Sequence, residues 1–353
     1  MIGSVLVLDE IAGRQVAALV VDGRLEELLI DPEAEVIVPG AIYRSVADRP
    51  VKGQGGIFVK LPGGSGFLRQ ISGVAPGQRL LVQVTGPTEP GKATPVTTRL
   101  LFKSRFAIVT PDAPGLNISR KIKDEDLRAD LAALAEAGMA GASERLGLIL
   151  RSGCADATPD AIAEDIAAMR GLAEAVLADI TGGPELLVDG PSAHDIAFRD
   201  WLDPGVDEAD TEAGSLDRHG VAEMIDTLRS PRVDFDGGAH VMIEPTRALV
   251  AVDVNTGPDT TPAASLKANI AAARDLPRQL RLRGLGGQVV VDFAPMPKRD
   301  RHILDQVMKA AFKTDGEANL AGWTTLGLYE LTRKRDRLPL AELLPKAGPK
   351  VGS

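Results

Sequence analysis

Two runs of apolar residues along the chain each end in an aspartate. The first is Arg247-Ala-Leu-Val-Ala-Val-Asp-Val-Asn-Thr-Gly257 and the second is Gly286-Gly-Gln-Val-Val-Val-Asp-Phe293. Short runs rich in β-branched valine read as buried strands, and the segment between them has helical length. Two such strands joined by a helix form a crossover unit whose ligands gather beyond the carboxyl ends of the strands. That expectation brings Asp253 and Asp292 together. Period-two alternation puts Leu249, Ala251, Asp253 and Asn255 on one face, and Val250, Val252 and Val254 on the other.

The rest of the pattern supplies further elements. Residues 4–8, 15–21 and 26–30 read as short strands around turns containing Ala12-Gly13 and Asp22-Gly23, a small antiparallel meander. Residues 36–105 hold short strands between glycines and prolines, among them 41–43, 56–59, 66–68 and 80–84, which predicts a small β-barrel. Asp124 to Ala137 is helical in pattern. Thr158-Pro159 opens a second helix that runs to about Ile180. Between the two helices, residues 146–152 read as a buried strand ending in Arg151-Ser152.

Length and composition set the bounds. A chain of 353 residues is expected to form two to four compact units. Its 44% hydrophobic and 25% charged residues are those of an ordinary soluble globular protein. The single cysteine, Cys154, excludes an internal disulfide and a Cys-rich zinc site, and fits a reducing cytoplasm. The apolar run 5–8 is broken at once by Asp9 and Glu10, so no signal peptide is expected. No stretch approaches the roughly 18 apolar residues of a membrane span.

The net charge of −9 argues against a general nucleic-acid coat, but its distribution changes that view. From Arg278 to Arg337 there are twelve Lys/Arg against seven Asp/Glu, beside the second aspartate. From Asp200 to Asp217 there are seven acids and no base. On charge alone the basic segment reads equally as a solvated helix face or as a phosphate-binding surface. Its adjacency to the aspartates favours the second, because steering depends on the local field.

Paired carboxylates facing solvent repel each other unless a cation lies between them. Mg²⁺ suits such a pair, since it takes oxygen ligands and keeps several from water or phosphate. The plainer reading makes each aspartate a cap or turn former after a strand. The pair together, with Asn255 in phase and Gly257 ending the strand, favours the metal site. Gly86-Pro-Thr-Glu-Pro-Gly-Lys-Ala93 nearly spells a P-loop, but Ala93 stands where Ser or Thr is needed and no helix is expected after it. Lys92 remains only as a candidate phosphate contact. With four histidines and no convincing Ser-His-Asp or Cys-His arrangement, a covalent nucleophile is not expected.

Four words of the sequence, in this order and spacing, resemble the catalytic core of the ribonuclease E/G family. They are Val252-Asp-Val-Asn-Thr-Gly257, Asn269 with Ala271-Ala272, Arg278-Gln-Leu-Arg-Leu-Arg-Gly-Leu-Gly-Gly287, and Val291-Asp-Phe293. A weaker resemblance runs from the N-terminus to about residue 340. It implies that Asp253 and Asp292 bind Mg²⁺, with Mn²⁺ as an alternative, and that Asn255 orients the scissile phosphate. The implied fold is a multi-subdomain α+β protein. Ribonuclease-H-like and deoxyribonuclease-I-like catalytic subdomains carry an inserted S1-type OB β-barrel and an α/β 5′-sensor unit. The expected boundaries are 1–35 and 199–246 for the two parts of the ribonuclease-H-like subdomain, 36–105 for the S1-type domain, 106–198 for the sensor, 247–346 for the catalytic subdomain and 347–353 for a tail. The N-terminal strands should then pair with residues beyond about 200.

The resemblance also assigns binding residues. Phe58 and Phe67 fall on two phenylalanines that stack on RNA bases, where the plainer reading is barrel core. Arg151 and Ser152 match a pair that grips the 5′-terminal phosphate, and Arg120 and Lys121 match another basic word of that sensor. The plainer reading of Arg151 is a strand-end arginine paired with a nearby acid. Lys298, Arg299 and Arg301, soon after Asp292, are candidates to hold flanking phosphates. Several positions depart from the family pattern. There is no Cys-Pro-x-Cys zinc link, so no zinc and no zinc-linked dimer is expected. Glu317-Ala318-Asn319 replaces a basic position, Lys267 replaces an asparagine, and Pro277 is expected to interrupt the connecting helix. The segment before Arg247 is short and acidic.

The sequence therefore predicts a cytoplasmic, Mg²⁺-dependent endoribonuclease that cleaves single-stranded RNA to 5′-phosphate and 3′-hydroxyl products in RNA processing or decay. Two alternatives stay open. One is a non-cleaving RNA-binding paralogue, and the other is a metal-dependent phosphoesterase acting on DNA or small nucleotides. The subunit count is left open.

Overall fold

The structure is a computed structural model that describes residues 3–51, 55–69, 73–202, 205–313, 315 and 318–344. The tail expected at 347–353 lies outside the described residues. The chain divides into two compact units, one of Val7–Pro32 and Asp210 onward, the other of Gly3–Leu6 and Glu33–Ala209.

The first unit is built on a six-stranded mixed sheet. Its strand order is Arg232–Asp234, His240–Pro245, Leu249–Asn255, Gly287–Asp292, Tyr329–Arg333, Ala318–Trp323. Only Leu249–Asn255 and Gly287–Asp292 run parallel. The helix Pro262–Leu282 makes the crossover between them, as the spacing of the two apolar runs predicts. Val250, Val252, Val254, Val289, Val291 and Leu331 bury one face of the sheet against Ala272, Leu276, Leu304 and Met308. The in-between positions Ala251, Asp253, Asn255 and Asp292 are left on the other face, half-buried or exposed.

The crossover helix has a defined start and stop. Thr261 caps it by accepting a hydrogen bond from the Ala264 N–H at 3.3 Å, and Pro262 takes the first turn, where no N–H is needed. Gly284 ends it at φ 62°, with the Leu285 N–H donating back to the Leu280 carbonyl at 2.8 Å. Pro277 does not interrupt the helix, contrary to expectation. Proline removes one backbone bond, and the buried stripe from Ala268 to Leu280 offsets that local loss.

The same helix is fastened to the antiparallel strands Arg14–Val21 and Arg24–Ile30, which turn through Asp22 and Gly23 at φ 50° and 76°. Arg278 donates to the Leu25 carbonyl at 2.7 Å, and Arg281 and Arg337 both reach Glu27, at 2.7 and 2.9 Å. Arg24 pairs with Asp275. Burial of Asp275 would raise its pKa, but hydrogen bonds and charge from Arg278 outweigh it and hold the carboxyl below its ordinary value.

The second unit contains a closed five-stranded barrel of Ile42–Val51, Gly56–Leu61, Gly64–Leu68, Arg79–Val84 and Thr94–Thr97. Ile42–Val51 pairs with both Gly56–Leu61 and Arg79–Val84, which closes the wall. Gly64–Leu68 and Thr94–Thr97 are its parallel pair. The closed five-stranded barrel is consistent with an OB-type fold. Val59, Leu61, Leu68, Val82, Val84 and Val96 fill the interior. Residues 86–93 lead into a strand and not a helix, which disposes of the P-loop reading.

Beside the barrel in this unit, strands Gly115–Ile118, Leu146–Leu150, Ala107–Pro111 and Phe102–Lys103 form a second sheet, in that order. Helices Glu125–Met139 and Pro159–Ala178 pack with it, capped by Asp124 and Thr158. Strand Glu208–Asp210 lies beside Ser4–Ile11, and the Ser4 N–H donates to Asp207 at 2.7 Å, so the N-terminal strand does pair with residues beyond 200. Among the described residues, no helix is long and apolar enough to cross a membrane.

Candidate active site

Asp253 and Asp292 are direct neighbours in the register of the parallel strand pair. In-register residues on adjacent strands project to the same side of the sheet. Both carboxylates therefore stand on its open face, at the carboxyl ends of their strands, and both are exposed. Neither has an ion-pair partner among the described residues. Asn255 lies one side-chain repeat further along, and its amide donates to the Asp253 carboxylate at 2.9 Å. Gly257, at φ 76°, lets the backbone after Asn255 turn against the 237–239 loop. A side chain there would stand 2.4 Å from the Gly238 carbonyl oxygen.

A buried layer holds this constellation in place. Asn269, on the inner face of the crossover helix, is fully buried. Its amide donates to the Ala294 carbonyl at 2.9 Å, and its oxygen accepts from the Ala294 N–H at 2.9 Å. That pair of hydrogen bonds fixes the chain two residues after Asp292. Phe293 packs between Trp323 and Tyr329, with ring centroids 5.7 and 6.1 Å away, and Trp323 donates to Asp305 at 2.9 Å.

The donor set fits Mg²⁺. Among the described residues, no three His, Cys, Asp or Glu side chains converge to hold a metal. A cation at Asp253 and Asp292 would take two protein carboxylates and complete its shell from water or phosphate, which is the habit of Mg²⁺ rather than Zn²⁺. Two like charges on adjacent strands with no ion-pair partner among the described residues favour such an ion electrostatically.

The basic residues around this site divide into two groups. Lys298 and Arg299 are exposed on the short turn Lys298–Asp300 that follows the second aspartate. Arg301 is not free. Its guanidinium lies over the Trp323 ring, 4.5 Å from the centroid, and its Nε is buried with no hydrogen-bond partner among the described residues. Much of the remaining positive charge between 278 and 337 is consumed internally. Arg278 and Arg281 are tied to Asp275 and Glu27, and Arg333 to Asp315 and Asp336. Buried Arg283 bonds Gln279 and the Ser230 carbonyl, and its pKa is pushed down to about 10, chiefly by burial.

In the second unit, Phe58 and Phe67 face each other across two paired strands, ring centroids 5.3 Å apart and tilted by 50°. They alternate with Ile57, Val59 and Leu68, which point into the barrel, so the two rings lie on its outer face, half-buried. Arg49 stands 5.4 Å from the Phe58 centroid. Gly56 leaves room for the Phe67 ring, whose edge would lie 2.5 Å from a Cβ there. Lys92 is paired with Glu89 at 2.7 Å on its own turn.

Arg151 begins a short helical turn and binds three partners. It donates to the carbonyls of Ser104 and Arg199, at 2.6 and 3.2 Å, and pairs with Asp200 at 2.6 Å. Burial would raise the Asp200 pKa, but hydrogen bonds from Arg199 and Arg151 hold it below its ordinary value. Ser152 is half-buried in the same turn, and Arg120 and Lys121 are exposed. They follow Gly115–Ile118, which runs parallel to Leu146–Leu150, so Arg120 and Arg151 stand at the ends of neighbouring strands.

One participant was not assigned from sequence. Asn269 entered only as part of a motif. Its signal was an asparagine inside the apolar stripe Ala268, Ala272, Leu276, a position that a polar side chain occupies only when its hydrogen bonds are met.

Comparison with known proteins extends this geometry. Residues 102–214 and 206–336 match the model of the Ribonuclease E/G family. Ribonuclease E of Nostoc sp. is 30% identical, aligned with 96% of this chain and 57% of its own length. Ribonuclease E of Synechocystis sp. is 30% identical, with 96% and 58% covered. Ribonuclease G of Haemophilus influenzae is 26% identical, with 93% and 78% covered. The chain thus spans less than two thirds of the two Ribonuclease E proteins.

Asn269→Ala removes both bonds to Ala294 and leaves a buried N–H and carbonyl unpaired. The expected cost is about 2 kcal/mol or more of stability, read as a lowered midpoint in urea or thermal unfolding. An unchanged midpoint would show that the loop after Asp292 does not depend on this bond.

Proposed function

The chain belongs to the ribonuclease E/G family, and on that footing we propose that it is a metal-dependent endoribonuclease cutting single-stranded RNA in the cytoplasm, in RNA processing or decay. The observation that carries this reading is the in-register pair Asp253–Asp292 on an open sheet face, with Asn255 beside it and no cationic partner among the described residues. Asp253 and Asp292 would hold Mg²⁺, with Mn²⁺ as an alternative. When bound, the ion would supply charge neutralisation at the scissile phosphodiester and a water of lowered pKa. The side chains do the positioning. The bond from Asn255 sets the orientation of the Asp253 carboxylate, and its amide is the donor placed to orient a phosphate oxygen. The products would be a 5′-phosphate and a 3′-hydroxyl.

The binding residues fit the same reading. The outer-face rings Phe58 and Phe67 offer an apolar platform on a barrel of S1 type, and base stacking there needs no sequence preference. Lys298 and Arg299 are the exposed cations nearest in sequence to Asp292. Arg301 acts by stacking on Trp323, and Lys92 is a weaker candidate because Glu89 neutralises it. A 5′-phosphate site is proposed at Arg151, Ser152, Arg120 and Lys121. There a terminal phosphate would compete with Asp200 for the Arg151 guanidinium fork.

Three outcomes are expected. Asp253→Asn or Asp292→Asn slows Mg²⁺-dependent cleavage of a 5′-monophosphorylated oligoribonucleotide by about 100-fold or more, about 2.7 kcal/mol in the barrier, while RNA binding survives. Wild-type protein that binds the RNA but never cuts it with Mg²⁺ would point to a non-cleaving paralogue.

Phe58→Ala and Phe67→Ala each weaken RNA binding by about 1–3 kcal/mol with little change in melting temperature. Normal binding by both variants would remove the platform.

Arg151→Ala abolishes a preference for 5′-monophosphorylated over 5′-hydroxyl RNA and leaves the slower rate unchanged. Equal wild-type rates on the two RNAs would eliminate the 5′-phosphate site and leave the endonuclease reading standing.

A further inference from the structure

His240 lies directly opposite Asn255 on the neighbouring antiparallel strand. Its strand alternates with the sheet. Val241 and Ile243 enter the core, so His240 and Met242 share the open face with Asn255 and Asp253. Opposed side chains in such a pair have Cβ atoms roughly 4.5–5.5 Å apart. The imidazole therefore borders the group proposed to orient the scissile phosphate.

The state of the ring follows from its surroundings. Nδ1 is shut off from water and has no hydrogen-bond partner among the described residues. A proton there would be a buried donor with no acceptor, which costs more than leaving the lone pair. The neutral ring therefore carries its proton on Nε2. The ring is half-buried, so the Nε2 edge faces the open side of the sheet. Asp234, opposite His240 on its other side, is paired with Arg232 at 2.7 Å, and no hydrogen bond joins it to the ring among the described residues.

We propose that His240 is a substrate-positioning residue whose Nε2–H donates to a non-bridging oxygen of the RNA phosphate next to the scissile one. This rests on the endoribonuclease reading above. It widens the contact from Asp253 and Asn255 across a third strand and gives the RNA backbone a direction across the sheet. An N–H donor suits that place, since it binds a phosphate oxygen without competing with the cation for the two aspartates.

The test measures affinity of the full chain for a 5′-monophosphorylated single-stranded oligoribonucleotide in EDTA, then KM and kcat with Mg²⁺. His240→Phe keeps the ring shape without the donor and should weaken binding about tenfold, raising KM and leaving kcat within about threefold. His240→Gln places an amide donor where Nε2 sits and should restore binding to within about threefold of wild type. In the wild-type protein, the ¹⁵N resonance of His240 Nε2 should move on RNA addition more than that of Nδ1. A stable His240→Phe variant that binds like wild type, or an unmoved Nε2 resonance in RNA-bound protein, overturns the contact alone. If His240→Phe melts early, His240→Ala replaces it, with the same expectations. Wild-type protein that neither binds nor cleaves RNA overturns the endoribonuclease reading and this contact with it.

Discussion

The parallel register between Leu249–Asn255 and Gly287–Asp292 is the constraint on which the candidate site depends. Parallel strands cannot be joined by a tight turn, so this pairing demands a long crossover, and the helix Pro262–Leu282 supplies it. The helix must then begin and end at defined points. Thr261 and Pro262 set the start, and Gly284 reverses the chain at the end. Slipping one strand by a single residue would send its aspartate into the valine core and expose the valines. Asn269 and the Phe293–Trp323–Tyr329 cluster oppose that slip from beneath the second strand.

Charge in the first unit serves the same end. A strongly arginine-rich stretch would read as a nucleic-acid surface, yet most of those guanidiniums face inward. Arg278, Arg281 and Arg337 hold the crossover helix and the segment after the sheet to the strand Arg24–Ile30. Arg333, almost fully buried, spans Asp315 and Asp336. Arginine fits this use because its planar fork bonds carbonyls and carboxylates together. Lys298, Arg299, Lys309, Lys313 and Lys334 are the cations of this stretch left exposed.

The sequence was most legible where pattern and chemistry coincide. Period-two alternation placed Asp253 and Asn255 on a common face, because a strand offers only two, and the crossover between the two apolar runs brought Asp292 near them; the register that sets Asp292 beside Asp253 came from the fold. The barrel was readable from its turns, and the outward position of Phe58 and Phe67 was not, since alternation does not tell which face is interior. Pro277 misled because the rule against helical proline is local, while the packing that overrides it comes from the whole unit. The engagement of Arg151 with Asp200 joins residues far apart in sequence, and no spacing announces it. Asn269 was visible only as an anomaly in an apolar stripe.

The residues of the proposed metal site and Asn269, which fastens the chain after the second aspartate, all lie between Asp253 and Ala294, on one strand–helix–strand segment. Its contacts are local for a parallel sheet, because only one loop has to close before the two aspartates meet. Such a segment is expected to condense early in folding, ahead of sheets whose partners are distant in the chain. The antiparallel strands flanking it then add to an edge already formed. Damage to the chain elsewhere would therefore lower the stability of the unit before it disturbs the spacing of the two carboxylates. Drift in sequence outside this segment can accordingly proceed with the carboxylate geometry kept.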